Sequence, residues 1–592
     1  MARQLEHFDN LVAMFLSRAE EKGDAPFLWA KRGEAWQPIS WSEAARQVAA
    51  LSAALLDMGL VAGDRVALVS ENRPEWLIAD LAIMAAGCVT VPTYTTNTTR
   101  DHAHILGNSG ARAVIVSSQK LARSLVPAVL TSSDCQHVIG IEPVRSGQVP
   151  DWVTAHCWKD LIAGMGDVGA VRTRIAGVGR GDLACIIYTS GTGGAPRGVC
   201  QHHGAILHNV AACVDVISSD FGWGDEVFLS FLPASHAYEH TGGQHFPVGL
   251  AAQIYYAESL EKLAANIEEV RPTIMVVVPR LFEMLRARMM KTLETSGALS
   301  QYLLRRALDI GAKRNRGGVP LWDRPMDLIL SATVRRKVAA KFGGRIKAMV
   351  SGGAPLNPEV GMFFDSLGVT LLQGYGQTES GPVISCNRPS AGIRLDTVGP
   401  PLLNTEVRIA DDGEIMVRGE LVMHGYWRND AETARVLVDR VSGDGAGAWL
   451  ATGDVGYLDD AGRIVITDRK KDLIVNDKGD NVSPQRIEGM LTLHPEIAQA
   501  MIYGDRKPHL VALLVPDAEI AEAPDLQARL QRAVDRVNAD LSVIERIRRF
   551  ILADDAFTID NEQMTPSMKI RRHVIGKVYG ERLEALFKRS KS

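Results

Sequence analysis

The feature that most constrains this chain is the alternation of short β-rich runs with helical segments over its first third. Arg65-Val-Ala-Leu-Val-Ser70 has the continuous apolar character of a strand buried on both faces. Pro74 follows where a first helical turn tolerates proline, and the helix it opens reaches to about Gly87. Cys88 to Pro92, Ala111 to Ser117 and His137 to Ile141 repeat the strand pattern, with helical segments between them. Parallel strands need long crossovers, so this rhythm predicts a parallel sheet covered by helices on both faces.

The 592 residues allow about four compact units, or fewer large ones. The formal net charge of −4 argues against bulk binding of nucleic acid. Seven cysteines (88, 135, 157, 185, 200, 213, 386) are odd in number and scattered, which excludes a disulfide framework and suits a reducing cytoplasm. The first residues, MARQLEHFDN, lack a charged-then-apolar signal pattern. The longest apolar stretch, Leu81 to Val91, is half of the roughly 20 residues that a spanning helix needs. Secreted, membrane-spanning and fibrous classes are therefore not expected.

Residues 280–347 break the charge balance: 16 Lys or Arg stand against 5 Asp or Glu, a local net of +11. Leu299, Leu303, Arg306 and Ile310 recur there at helical spacing. This is either a solvated helical insert or a basic amphipathic surface for anionic lipid. After Gly413 the chain turns β-like, in Glu414 to Arg418, Gly456 to Leu458 and Arg463 to Ile466. The charged run Asp468-Arg-Lys-Lys-Asp472 marks a domain boundary before a mixed tail of some 120 residues.

The strongest local motif is Tyr188-Thr-Ser-Gly-Thr-Gly-Gly-Ala-Pro-Arg-Gly198. It follows the apolar run Leu183 to Ile187 and precedes an amphipathic helix carrying Ile206, Val210, Val214 and Ile217. Three hydroxyls and four glycines exceed what a turn requires, and they can aim N–H and O–H groups at phosphate oxygens. The loop is not G-x-x-x-x-G-K-[ST], because Pro196-Arg197 stands where Gly-Lys is needed, and Pro196 also breaks G-x-G-x-x-G. Ser351-Gly-Gly-Ala-Pro355 and Gln373-Gly-Tyr-Gly-Gln-Thr-Glu379 both follow β-like runs. Their glycines admit a flat ligand, Tyr375 offers a stacking face, and Glu379 is a hard oxygen donor suited to Mg²⁺. Thr452-Gly-Asp454 and Asp468-Arg469 can bind sugar hydroxyls. Taken singly, each of these short segments is equally a strand-end turn.

Five segments in this order resemble the AMP-forming acyl-CoA synthetase superfamily, over residue 10 to the C-terminus, with Lys569 in Met564-Thr-Pro-Ser-Met-Lys569 beyond the last. The resemblance implies an α/β fold: a large N-terminal domain of doubly wound sheets with a small β-barrel-like subdomain (1–467), a hinge at 468–471, and a small α+β mobile domain (472–592). It implies ATP-dependent activation of a carboxylic acid to an acyl-adenylate, then transfer to a thiol, usually that of CoA. By motif, Thr189, Ser190, Gly191, Thr192 and Arg197 attend the phosphates. Thr378 touches the α-phosphate, and Glu379 holds Mg²⁺. Gly353, Ala354, Pro355, Gly374, Tyr375, Gly376 and Gln377 frame the adenine, while Asp454 and Arg469 take the ribose. Lys569 bridges carboxylate and phosphate, Lys471 marks the hinge, and Gly479 faces the pantetheine channel. His236 sits near the acyl carboxylate, or caps a helix start. His203 is structural.

Three departures from the family pattern stand out: Gly193 for a second threonine, Arg197 for lysine, and Met568 for the glycine before Lys569. The T-P-S-M-K form and the extra length at 280–347 resemble long-chain fatty-acid–CoA ligases. Gly376, where acetate-specific relatives place a tryptophan, leaves room for a long acid. The expected protein is thus a cytoplasmic long-chain ligase, monomer or homodimer, with possible contact to the inner membrane face through the insert and the tail 577–591. The alternatives are adenylation of another acid or transfer to an acyl carrier protein, and a non-catalytic lipid- or nucleotide-binding relative.

Overall fold

The computed structural model describes residues 3–144, 149–189, 196–294, 296–438, 447–477, 480–558, 560–564 and 570–588. The predicted strands appear at Arg65–Val69, Val89–Thr93, Ala111–Val116 and His137–Gly140, all paired in parallel. They lie within an eight-stranded sheet. Its order is Gly425–Tyr426, Arg197–His202, Leu183–Thr189, Val89–Thr93, Arg65–Val69, Ala111–Val116, His137–Gly140 and Thr154–Cys157. A second eight-stranded sheet runs from an edge at Val383–Cys386 and Leu371–Gly376, through Ala348–Ser351, Ile274–Val277, Val227–Ser230 and Gln253–Tyr256, to Pro26–Arg32 and Ala35–Ser40.

One continuous core joins the two sheets. Leu28, Phe228 and Ile254 of one and Val66, Leu68 and Ile187 of the other pack on helices between them. The Pro74–Ala85 helix, with Pro74 at its first turn, is buried on all sides except at Glu75, and apart from Glu75 and Asp80 its residues are apolar. The expected β-like subdomain is a five-stranded antiparallel sheet built on Glu414–Arg418, Trp449–Leu458 and Ile464–Arg469. A smaller unit follows, with its own core around the three strands Ile497–Tyr503, Leu510–Pro516 and Ile547–Leu552. Among the described residues no helix is long and apolar enough to cross a membrane. All seven cysteines are unpaired.

Two sequence expectations are refined. The amphipathic helix expected after the Thr-Ser-Gly motif is present at His203–Asp220, but a strand precedes it. The strand Arg197–His202 intervenes, folding back antiparallel on Leu183–Thr189 before the His203–Asp220 helix begins. The described residues on either side of 190–195 therefore pair with each other, and the next helix begins only at His203. In the basic insert, the C-terminal part of the stripe on the Ala298–Gly317 helix faces inward, with Ile310 buried and Leu303 packed on the core beside it, while Leu299 at its start is exposed.

A polar island lies inside the core. The segment His240–His245 forms a π-helical turn, whose wider pitch brings residues five apart onto one face. Nε2 of His240 and of His245 lie 3.2 and 3.0 Å from the same Asp80 oxygen, and all three side chains are fully buried. Burial alone would push the Asp80 pKa up, but the two imidazoles hold it well below the carboxylate range. Their ligand atoms lie within 4.8 Å of one another, the spacing of a metal site. Neither Nδ1 has a protein acceptor, however, and metal-bound histidines normally have one. The trio is a hydrogen-bonded charge cluster.

Beside it, buried Glu239 accepts from Ser230 Oγ at 2.6 Å, and Gln244 links Ser230 to Tyr256. With no cation at hand, burial pushes the Glu239 pKa to about 8, from an ordinary 4.5. The sign of the linkage follows. Below about pH 4.5 both folded and unfolded states are protonated; between there and about pH 8 only the unfolded state releases the proton, so folding stability falls as pH rises. Glu239→Gln removes this fall. In denaturant titrations the variant should gain on the wild type between pH 5 and 8, by at most about 1.4 kcal/mol per pH unit. A difference independent of pH would show that Glu239 is ionised in the folded protein.

Candidate nucleotide site at the junction of three sheets

The edges of the three N-terminal sheets converge on the segment Gln373–Ser380. The strand Leu371–Gly376 brings Tyr375 to the end of one sheet, where its hydroxyl donates to Asp454 Oδ2 at 2.7 Å. Asp454 lies on the long strand of the antiparallel sheet, directly opposite Arg469, whose Nε donates to Asp454 Oδ1 at 3.1 Å. Asp454 is buried. Its backbone N–H donates to Thr452 Oγ1 at 3.1 Å, and that hydroxyl donates to the Ile415 carbonyl at 2.7 Å. Burial and the neighbouring Asp454 charge push the Tyr375 phenol well above its usual pKa, so it stays a donor.

Beyond Gly376 the chain makes a short 3₁₀ turn, Thr378–Ser380. Ser380 Oγ accepts the Gln377 N–H at 3.2 Å and donates to the Gln377 carbonyl at 2.9 Å. That closed turn leaves Thr378 and Glu379 half-buried. The Gln201 side chain donates to the Thr378 carbonyl, tying the turn to the strand Arg197–His202 of the other sheet. Glu379 Oε1 accepts from the Tyr426 hydroxyl at 2.7 Å. Tyr426 pairs with Val199, and the Arg197 guanidinium lies 4.7 Å from its ring centre. Arg197 Nη1 also contacts Glu432 at 2.5 Å. A cation, an aromatic ring and two carboxylates thus line one wall. Glu379 offers a carboxylate with one oxygen already positioned, a donor set that fits Mg²⁺ bound chiefly through phosphate oxygens and water.

Gly353, Ala354 and Pro355 form an exposed turn after the neighbouring parallel strand Ala348–Ser351. Gly353 has φ +80°, and a Cβ on Gly352 would lie 2.9 Å from the Tyr238 ring. Gly374 pairs with Cys386 within the hairpin. His236 caps the short helix Ala237–Glu239, its Nδ1 accepting the Tyr238 N–H at 3.1 Å. Thr189 and Arg197 face each other at the foot of the hairpin. Buried His203 accepts the Leu11 N–H, and burial lowers its pKa to about 4, in keeping with a structural role. Ser190, Gly191, Thr192, Gly479 and Lys569 lie outside the described residues.

The structure therefore brings together Thr378, Glu379 and Arg197 on one side, and Tyr375, Asp454 and Arg469 on the other. It adds Gln201, Tyr426 and Glu432, which sequence reasoning missed. No local pattern marks them, because Gln201 and Tyr426 lie on strands that pair across more than 200 residues, and Glu432 on the helix that follows. Gly376 acquires a reason of its own: a Cβ there would lie 1.8 Å from the Pro382 carbonyl oxygen. In this backbone a side chain at 376 would require the Pro382 segment to shift, a reason for glycine besides pocket space. Gly376→Ala should destabilise the protein by about 2 kcal/mol or more in denaturant unfolding. An unchanged midpoint would show that the hairpin yields freely and that Gly376 is kept for pocket space alone.

Comparison with known proteins agrees with this geometry. A family model described as AMP-binding enzyme matches residues 15–427, and one for the AMP-binding enzyme C-terminal domain matches residues 471–591. The Mycobacterium tuberculosis protein named long-chain-fatty-acid–CoA ligase FadD15 is 31% identical, over 98% of this chain and 97% of its own. The Arabidopsis thaliana chloroplast protein AEE15, named a long-chain-fatty-acid–[acyl-carrier-protein] ligase, is 26% identical, over 96% and 86%. Among solved structures, the adenylation domain of a Mycobacterium chelonae carboxylate reductase superposes with TM-score 0.74 at 22% identity, covering 98% of this chain and 92% of that one. ATP-bound MatB from Rhodopseudomonas palustris gives 0.70 at 21% identity, covering 98% and 100%. The two mixed sheets, the antiparallel subdomain and the small C-terminal unit are the adenylate-forming fold, and the chain belongs to the AMP-binding enzyme superfamily.

Proposed function

We propose that this adenylate-forming ligase acts on long-chain fatty acids and passes the acyl group to CoA. The observation that carries the choice of acid and acceptor is the match to FadD15 along essentially the whole of both chains. In the first half-reaction an acid oxygen attacks the α-phosphorus of ATP; the bond to the bridging oxygen breaks and pyrophosphate leaves. In the second, the CoA thiol attacks the acyl carbonyl, a thioester forms and AMP departs. Neither step needs a protein nucleophile. Both need neutralised phosphate charge and in-line positioning.

The site residues take roles accordingly. Thr189, Ser190, Gly191, Thr192 and Arg197 hold the β- and γ-phosphates, the arginine as a planar fork where relatives have a point charge. Thr378 donates to the α-phosphate. Glu379 holds Mg²⁺, which supplies charge neutralisation across the phosphates when bound. Gly353, Ala354, Pro355, Gly374, Tyr375, Gly376 and Gln377 frame the adenine. A carboxylate has about four lone-pair positions. Tyr375 and Arg469 occupy two on Asp454, which leaves capacity for ribose hydroxyls. His236 stands near the acyl carboxylate. Residues 468–471 act as the hinge on which residues 472–592 swing, bringing Lys569 to the first half-reaction and Gly479 to the pantetheine arm in the second.

The test is product identification by mass, with Mg·ATP, fatty acids of graded length, and CoA present or absent. The expected result is CoA-dependent release of a long-chain acyl-CoA. Acyl-adenylate accumulating despite CoA would assign another acceptor, such as a carrier protein. Nucleotide binding with every acid left unchanged would assign a binding role. The hinge has its own test. Lys569→Ala should lower adenylate formation by about 10²-fold or more, the scale of a lost charge-stabilising contact, while thioester formation from supplied acyl-adenylate is largely kept. Equal loss in both halves would contradict the swing.

A further inference from the structure

The basic insert carries a surface that the site does not use. After the Ala298–Gly317 helix, the chain forms the 3₁₀ turn Leu321–Asp323 and then an unbroken helical run. That run comprises Arg324–Leu330, a π turn at Ser331–Arg335, and Arg336–Lys341. Its inner side is anchored by buried Leu330, Arg335, Val338 and Phe342. Its outer side is apolar where it should be polar: Trp322 is 81% exposed, Leu328 73%, Leu321 70% and Ile329 50%. Isolated exposed apolar residues are ordinary, but four within nine residues, led by a tryptophan, form a patch that needs an explanation.

Charge supplies it. The acids of this region turn inward: Asp323 takes Arg306 and Lys313, and Asp327 takes Arg314 and Arg335. The outward cations Arg324, Arg336, Lys337 and Lys341 are all exposed, and among the described residues none has an ion-pair partner. The surface is thus an apolar wedge edged by uncompensated positive charge. A second copy of the same face would bring like charges together. A nucleic acid would match the cations but leave Leu321, Leu328 and Ile329 in water. An anionic bilayer satisfies both halves, its headgroups meeting the cations and its interfacial zone taking tryptophan and leucine.

We propose that residues 321–341 are an interfacial docking surface for anionic membranes, with Trp322, Leu328 and Ile329 entering the headgroup region. This places membrane contact on a different element from the 299–310 stripe, whose Leu303 and Ile310 pack on the core. It does not depend on which acid the enzyme activates. Its consequence is that the protein meets substrates at the bilayer surface, where long-chain acids partition.

The experiment is co-sedimentation of the full-length protein with large vesicles of phosphatidylcholine containing about 30% phosphatidylglycerol, at about 0.1 M salt, against pure phosphatidylcholine. The wild type should bind the anionic vesicles and release as salt is raised. Trp322→Ser/Leu328→Ser and Arg336→Glu/Lys337→Glu should each lower partitioning about tenfold or more. Melting temperature and turnover of a water-soluble acid should remain unchanged. A wild type left in the supernatant overturns the proposal, as do charge-reversed variants that bind like the wild type. So does a wild-type oligomer that Trp322→Ser/Leu328→Ser converts to monomer, since the face would then be covered by a second copy.

Discussion

The site depends on one buried carboxylate. Asp454 receives the Tyr375 hydroxyl from the edge of one large sheet and the Arg469 guanidinium from the last strand before the C-terminal unit. A buried charge is tolerated only when it is paired and hydrogen-bonded, so removing either donor leaves one of its oxygens without a partner, at a cost of about 1–3 kcal/mol. That cost makes the junction rigid. It fixes the antiparallel subdomain against the sheet edge and sets the position of the strand that ends at Arg469, immediately before the charged run 470–472. The same carboxylate is thus both the bolt between two sheets and the proposed ribose anchor.

A second tie crosses between the large sheets. Gln201 holds the Thr378 carbonyl, and Tyr426 holds Glu379. These contacts, made by protein groups alone, position the segment proposed to meet the α-phosphate and Mg²⁺. Arg197, stacked on Tyr426 and paired with Glu432, is oriented in the same way. Preorganised charge of this kind is what phosphoryl and adenylyl transfer require, because the reaction supplies its own nucleophile and leaving group. Further inside, the Asp80 and Glu239 clusters show that the core beside His236 is polar and costly, retained at the expense of simple apolar packing.

Much of this was legible in the sequence. The strands at 65–69, 89–93, 111–116 and 137–140 announced themselves because buried parallel strands are continuous apolar runs, which few other elements imitate. Tyr375, Asp454 and Arg469 were legible only as members of an ordered set; alone, each motif was a turn. What escaped was long-range. The strand Arg197–His202 was hidden because Gly198 and Gln201 interrupt its apolar character, and its partners are Leu183–Thr189 and the distant Gly425–Tyr426. Gln201 and Tyr426 belong to that pairing, and Glu432 lies on the helix that follows it. The stripe at 299–310 misled for the opposite reason: helical periodicity reveals that a helix has an apolar face, but not whether core or solvent receives it. The exposed wedge at 321–329 is too short to show a helical periodicity, and only its exposure in the fold reveals it.

Reversible adenylate formation at the three-sheet junction is tested by exchange of labelled pyrophosphate into ATP without CoA. Exchange should require both Mg²⁺ and a long-chain acid, and should be lost in Asp454→Asn. Exchange without acid, or none while ATP and acid both bind, would contradict this assignment.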